Sequence, residues 1–112
     1  MRAVHLSRRL VLEAPERTSD NAGGFVESWI ALGILWADVR LRSGREAAMS
    51  IGRSSEADYR IFVRATPHGS PSRPVPGQRF VEGVRRFLIE AVGDSDPKGR
   101  YLTCFAREEV AV

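Results

Sequence analysis

The sequence predicts an all-β fold: a small antiparallel barrel of about six to seven short strands, forming a single domain over residues 1–112. Three observations predict it. Apolar and polar residues alternate at period two, as in half-buried strands. Clusters rich in Gly, Pro, Asn and Asp separate the alternating stretches. A chain of 112 residues also has length for one modest core and no more.

The first predicted strand covers residues 6–14, and Pro15 is expected to end it. A turn cluster rich in Asn and Gly follows. The next stretch, 25–41, is rich in aliphatic, β-branched and aromatic residues. We predict two strands there, separated near residues 31–33, rather than a helix. Gly33 weakens a helix interior, and the residues after it alternate as in a strand.

Two long loops are predicted. The segment 43–57 is small, polar and interrupted by glycines, and one short helix is conceivable within it over residues 45–50. A loop of this length in so small a domain is usually functional or disordered. The second loop, 67–78, holds four prolines, which cannot donate backbone hydrogen bonds to a sheet.

The same alternation predicts the remaining strands. In the first of them Tyr59, Ile61 and Val63 share one face, with arginines and Phe62 on the other. The tail after Arg107 is expected to be frayed or to dock on a neighbour. The predicted strands are 58–66, 79–81, 86–92 and 100–107.

The net positive charge is small, and nearly all of the basic residues are of one type. The formal net charge is +3, and 16 of the 17 basic residues are Arg, with Lys98 the exception. Arg contacts carboxylates and phosphates through several planar donors and is enriched at interfaces, although a GC-rich coding bias explains the same composition. The surplus is too small for a dedicated DNA-binding protein. No membrane span or signal peptide is predicted, so the chain is expected in the cytosol or in a particle assembled there.

No catalytic or metal-binding constellation is visible in the sequence. The lone Cys104 excludes an internal disulfide and a cysteine zinc site, and it is expected to be a small buried side chain. Asp94 and Asp96 resemble the start of a calcium loop but lack its later ligands, so a hairpin turn is favoured. Nucleophile-elbow and phosphate-loop motifs are missing. We therefore expect no enzymatic activity, no metal and no cofactor.

Two kinds of side chain are candidates for interaction. Trp29 and Trp36 are expected as core or interface anchors, whereas exposed tryptophans would stack on bases. Arg42, Arg45 and Arg53 flank and punctuate the loop 43–57 and would face a polyanion if that loop is mobile. A solvated loop, partly neutralised by its own glutamates, is the equal alternative.

The order of several segments resembles the head–tail adaptor, or head-closure (stopper), proteins of long-tailed phages and gene transfer agents. The spacing from Trp29 to Trp36 and then to residues 43–46 is the most specific part. The Pro-rich loop 67–78 departs from the family pattern. The similar segments span nearly the whole chain and read LSRRLVLEAP, GGFVESW, WADVRLRSGRE, YRIFVRATP, GQRFVEGVRRFLIEAV and RYLTCFAREE.

The resemblance implies a non-enzymatic β-barrel subunit in the head–tail neck of a phage-like particle, assembled in the host cytoplasm. Such subunits form a ring, most often a hexamer, with a dodecamer as the alternative. The implied partners are an adaptor ring above, a tail terminator or tail tube below and double-stranded DNA in the channel, with no membrane. In related stoppers a long loop projects into that channel. By position, loop 43–57 with Arg42, Arg45 and Arg53 corresponds to it.

Two other functions stay open at this point. The first is a tail-terminator or tail-completion ring protein, which composition does not distinguish from a stopper. The second is a free-standing small β-barrel that binds single-stranded nucleic acid, which requires exposed aromatics beside arginines on one sheet face.

Overall fold

The computed structural model describes residues 3–42 and 56–109, and within these ranges it contains six strands and no helix. Every neighbouring pair is antiparallel, and the order β1-β2-β3-β6-β5-β4 closes into a barrel where β4 pairs with β1. The predicted all-β barrel is confirmed. The strands are β1 (Arg8–Ser19), β2 (Phe25–Leu41), β3 (Glu56–Arg64), β4 (Arg79–Glu82), β5 (Arg85–Asp94) and β6 (Tyr101–Glu109).

One apolar core fills the barrel, and all six strands contribute to it. Its positions recur every second residue, because successive side chains of a strand point to opposite faces. Phe80 and Phe87 are its largest members and face each other across the β4–β5 pair. Burying each ring contributes about 1.5–3 kcal/mol. The core residues are Leu10, Leu12, Ala37, Ile61, Val63, Phe80, Phe87, Ile89, Leu102, Cys104 and Ala106.

The first strand is longer than predicted. Pro15 does not end β1, which continues to Ser19. β1 pairs with β4 only from Val11 to Glu13, so beyond that point one edge of β1 has no partner among the described strands. Proline is tolerated on such an edge, because no neighbouring strand requires its missing N–H.

The second strand is continuous, and the predicted break is a β-bulge. Gly33 lies opposite Leu12 and Ala31 lies opposite Glu13, which leaves Leu32 without a cross-strand partner. A bulge bends its strand and increases the local twist without ending the ladder. The irregularity was therefore predicted at the right place but with the wrong consequence.

Three further boundaries concern the loop 43–57 and the tail. Residues 43–55, including the short helix considered there, lie outside the described residues. Glu56 and Ala57, which were predicted in that loop, are instead the first residues of β3. Glu108 and Glu109 are not a frayed tail, because both pair with β3 and with β5. Two flanking strands hold them in the ladder.

The Pro-rich loop 67–78 is a loop, as predicted, and it packs closely on the barrel. Pro74 is fully buried. The backbone N–H of Ile89 donates to the carbonyl of Gln78 at 2.9 Å, and that of Gly77 donates to the carbonyl of Ile89 at 3.0 Å. These bonds dock the end of the loop on β5.

Candidate functional site

The two ends of the barrel carry different elements. β2 ends and β3 begins at one of them, here called the loop end because residues 43–55 join these two strands. The β1–β2 hairpin and the Pro-rich loop lie at the opposite end, here called the arm end. Each end, and the outer face between them, offers a distinct surface.

Five polar side chains form a network at the loop end. The guanidinium of Arg8 donates to both carboxylate oxygens of Glu82, with its Nε at 2.9 Å. Arg85 donates to Glu108 at 2.7 and 3.1 Å and to the hydroxyl of Tyr59 at 3.3 Å. The register places these residues on the faces that carry the core. The network therefore joins five of the six strands and covers the end of the core.

The network fixes the charge of its members. Hydrogen bonds from Arg8 lower the pKa of Glu82, and those from Arg85 lower the pKa of Glu108. Burial, together with the nearby Glu108 carboxylate, raises the pKa of the Tyr59 phenol. Arginines of the same chain already form hydrogen bonds with both carboxylates. We therefore interpret this network as a structural element that closes the end of the barrel, rather than as a binding site.

Arg42 lies at the base of the segment 43–55. Its backbone N–H donates to the carbonyl of Asp58 at 3.1 Å, and its guanidinium lies 3.5 Å from the Asp58 carboxylate. Arg42 therefore ties the end of β2 to the start of β3. Arg45 and Arg53 lie outside the described residues, so a DNA-facing role for the three arginines stays a prediction.

The outer surface of β1, β2, β3 and β6 carries arginines beside exposed aromatic rings. Trp36 is 53% exposed and Phe105 is 39% exposed. Arg9 pairs with Trp36 across β1 and β2, and Arg60 pairs with Phe105 across β3 and β6. Among the described residues Arg9, Arg60 and Arg64 have no carboxylate partner, so their charges face solvent. We call this surface, defined by these five residues, the Arg–aromatic face.

Neither tryptophan belongs to the core. Trp29 is partly buried beneath the guanidinium of Arg79, whose central carbon lies 4.0 Å from the ring centroid. Glu13 holds that guanidinium at 2.7 Å. Trp36 lies exposed on the outer face. Both therefore occupy surface positions, and their role as interface anchors stays a prediction.

The β1–β2 hairpin extends beyond the barrel as a two-stranded arm, residues 14–30. Six residue pairs, from Ala14↔Ile30 to Ser19↔Phe25, follow the last β1–β4 pair, which corresponds to about 20 Å of ladder. Neither edge of the arm pairs with another described strand. Sequence reasoning missed the arm, because it ended the strand at Pro15.

The turn at the tip of the arm is well ordered by Asp20. Its carboxylate accepts the backbone N–H groups of Ala22 at 2.8 Å and Gly24 at 3.0 Å, and these bonds lower its pKa. Asn21, with φ of 63°, and Gly23, with φ of 87°, occupy the left-handed region that a tight hairpin turn requires. The tip is therefore a defined turn carrying a fixed negative charge.

An apolar groove lies at the base of the arm. Its volume is about 480 Å³, and it is bordered by β2, the end of β3 and the Pro-rich loop. Arg64 is the one charged residue among its described lining. The hydroxyl of Thr66 in this groove is buried without a hydrogen-bond partner. The lining residues are Leu6, Ile34, Leu35, Trp36, Arg64, Thr66 and Ser72.

The described residues assemble no reactive centre. Residues 3–42 and 56–109 contain no group of three potential metal ligands and no helix long and apolar enough to cross a membrane. Cys104 is fully buried, and desolvation raises the pKa of its thiol to about 12. Asp96 accepts the backbone N–H and the Nε of Arg100, both at 2.8 Å. The favoured hairpin turn is confirmed there.

The small closed barrel carries a projecting arm, an apolar groove and solvent-facing arginines. Such surfaces are suited to contacts with other macromolecules. The family model of the phage head completion protein matches residues 1–109, and the chain belongs to this family. The resemblance identified from the sequence is thereby confirmed. As a head completion protein, it is a structural component of a phage-like particle, which agrees with the expectation of a protein without enzymatic activity.

Two solved structures share the fold over their full lengths. A chain in the virion of a native gene transfer agent particle is 41% identical, covers 100% of both chains and superposes with a TM-score of 0.71. A Shigella flexneri 2a protein, determined in solution, is 22% identical over 100% of both chains with a TM-score of 0.69. The second likeness shows the fold alone. Comparison with curated proteins gives no match.

Proposed function

We propose that the protein is a head-closure (stopper) subunit that forms a ring in the head–tail neck, extends the DNA channel, retains packaged DNA and docks the tail. The observation that carries this proposal is the family match over residues 1–109 together with 41% identity to a gene transfer agent virion chain over both full lengths. An assembly role of this kind requires surfaces rather than a catalytic centre.

The surfaces suit a subunit of a closed ring. Head-to-tail contacts around a ring need two different patches on each copy, and closure follows from the rotation between copies. The arm and the groove at its base are two such patches of unlike shape. We propose a hexamer, with a dodecamer as the alternative, that contacts an adaptor ring above and a tail terminator or tail tube below.

The loop end is the proposed channel side. Arg42 and Asp58 hold the end of β2 against the start of β3, so residues 43–55 are inserted at one position of a closed barrel. Eight of these thirteen residues are Gly, Ala or Ser, which would let several copies crowd near a ring axis. Arg45 and Arg53 supply few positive charges, enough to contact DNA without opposing its ejection.

Deletion of the gene in the producing cell tests this proposal. Separate tails beside heads that have lost their DNA are expected, because an unclosed head neither retains DNA nor docks a tail. Intact, infective, tailed particles would remove the proposal. Deleting residues 46–55 should then leave the protein incorporated but the particles leaking DNA. The matched control replaces the same ten residues by Gly and Ser, which keeps the length of the insertion while removing its charges and larger side chains.

The tail-terminator alternative differs in position rather than in chemistry. Adding an epitope tag to the protein and imaging particles with a gold-labelled antibody against that tag would locate its ring along the neck. A signal next to the head supports a stopper, and a signal at the top of the tail supports a terminator.

The Arg–aromatic face favours the remaining alternative, a protein that binds single-stranded nucleic acid. Trp36 and Phe105 are exposed beside Arg9, Arg60 and Arg64, the combination that stacks on bases and contacts phosphates. This alternative predicts that the isolated chain binds oligonucleotides with quenching of Trp36 fluorescence. The stopper proposal expects no such tight binding by the isolated chain.

A further inference from the structure

Both faces of the arm carry exposed apolar side chains, and they differ in the contacts that the chain itself provides. Val26 is 58% exposed and Ile30 is 41% exposed, and the register places Glu16 on the same face. On the other face, arginines of the same chain stack on both aromatic rings: Arg17 lies 4.7 Å over Phe25, which is still 62% exposed, and Arg79 lies 4.0 Å over Trp29. We call the first of these, Glu16 with Val26 and Ile30, the docking face.

The groove at the base of the arm complements this docking face. Ile34 and Trp36 are 52% and 53% exposed and give it an apolar border. Arg64 in its lining has no carboxylate partner among the described residues, and the docking face carries Glu16 as its one charged residue. The apolar side chains of the docking face match the apolar border of the groove, and the charge of Glu16 is opposite to that of Arg64. Apolar contact combined with charge complementarity is typical of a specific interface.

Within one chain, the outer part of the arm does not reach the groove. Val26 and Trp36 lie on the same continuous strand β2, ten residues apart, which separates them by roughly 30 Å. The two strands of the arm are paired along its length and joined by a defined turn. The arm therefore does not fold back onto its own base. An arm that enters the groove therefore comes from another molecule.

We propose that the arm of one copy inserts its docking face into the groove of the next copy, with Glu16 of the arm facing Arg64 of the groove. The edge of β2 between Phe25 and Trp36 has no partner among the described strands. It lies beside that groove and offers backbone donors and acceptors to the incoming arm. The contact is head-to-tail, so its repetition generates a ring when the rotation between successive copies closes. This inference rests on the proposed ring function and names the surfaces that build the ring.

Cross-linking in particles tests the contact directly. The variants are Val26→Cys on the docking face and Ser72→Cys in the groove, each alone and both together, treated with a short bis-maleimide. Cys104 is fully buried with a raised pKa and does not compete. The double variant should give a ladder of linked copies, and each single variant should not. Val84→Cys with Ser72→Cys is the matched control, because Val84 is 82% exposed at the loop end.

Charge exchange tests the pairing of Glu16 with Arg64. Glu16→Arg and Arg64→Glu should each reduce the linked fraction about tenfold, and the two together should restore it. Glu27→Arg, on the opposite face of the arm, should leave it unchanged.

The outcomes separate this contact from the proposed function. If particles contain the double variant and retain DNA but give no series of cross-linked copies, the arm–groove contact is wrong and the stopper proposal is unaffected. Wild-type particles that lack the protein overturn the stopper proposal itself. Quenching of Trp36 by oligonucleotides that Arg64→Glu abolishes, without a linked ladder, assigns the groove to nucleic acid instead.

Discussion

Arg85, at the start of β5, holds the carboxylate of Glu108, near the end of β6, through two hydrogen bonds of 2.7 and 3.1 Å. The same guanidinium lies 4.9 Å over the ring of Phe87, a fully buried core residue. This pair closes the loop end of the barrel directly above the core. It also fixes the end of β6 next to the start of β3, where the segment 43–55 rejoins the barrel.

Glu108→Gln should lower the free energy of unfolding by about 1–2 kcal/mol, because it replaces a charge-assisted bidentate pair by a weaker neutral contact. The Glu108 side chain is 14% exposed, so water compensates only in part. Urea unfolding at pH 7 measures the change. Glu90→Gln is the control, because Glu90 is 49% exposed and its ion pair with Arg107 spans 3.7 Å. Equal stability of both variants would contradict a structural role for the pair.

The same network predicts an acid-sensitive fold. Hydrogen bonds from arginines lower the folded-state pKa of Glu82 and of Glu108 below 4.5, the usual value of the carboxyl group. Their contribution is therefore fully present above the unfolded-state pKa and is lost as the pH falls through the folded-state pKa. Unfolding midpoints should be flat from about pH 7 to 5 and fall below about pH 4.5. In Glu108→Gln this acid-dependent loss should be smaller.

Cys104 should resist thiol reagents in the native protein. Its thiol is fully buried, and desolvation raises its pKa to about 12. At pH 8 only about one molecule in ten thousand carries the reactive thiolate. Labelling with a maleimide, followed by mass spectrometry, should show no modification in buffer and complete modification in denaturant. Rapid labelling of the native chain would mean that the barrel opens around β6.

Leu12→Ala should destabilise the barrel by about 2–5 kcal/mol, because Leu12 is fully buried and its truncation leaves a cavity in the core. Val11→Ala is the matched control on the adjacent, outward position of β1, where a loss within about 1 kcal/mol is expected. Thermal unfolding of both variants compares them. Similar losses at the two positions would mean that both faces of β1 are buried in the free subunit.

The core was predictable from the sequence, whereas the arm was not. Alternation placed Leu10 with Leu12 on one face of the first strand and Ile61 with Val63 on one face of the third. The barrel buries both of these faces, since burial imposes a period of two on a strand. The missing N–H of Pro15 predicts a strand end there, because it excludes proline from a central strand. That rule does not apply to an edge without a partner, and whether a strand has a partner depends on pairings distant in sequence.

The composition of the outer surfaces also depends on which residues pair across neighbouring strands. Their spacing placed Arg60 and Arg64 together on one face of the third strand. The sequence alone did not show that Phe105 would pair with Arg60, nor that the base of the arm would border an apolar groove. Register between strands sets those neighbours, and register is a property of the closed sheet.

Replacing Arg45 and Arg53 together by Ala should make particles lose DNA faster, if the loop 43–57 contacts DNA in the channel. Each arginine that neutralises a phosphate contributes a salt-dependent part of the affinity, which vanishes as salt rises. Wild-type and variant particles should therefore differ most at low salt and converge at high salt. DNA release from purified particles, followed by a dye that binds free DNA, measures this difference.

Arg60→Ala is the control for that experiment. Arg60 is exposed on the Arg–aromatic face without a carboxylate partner among the described residues, and it lies on β3, three residues after the end of the loop. If the loop arginines face the channel, Arg60→Ala particles should retain DNA as the wild type does at every salt concentration. If Arg60→Ala particles leak DNA and the loop variant retains it, the outer surface of β3 faces the channel instead. A phosphate contact exists only where the arginine can reach the DNA.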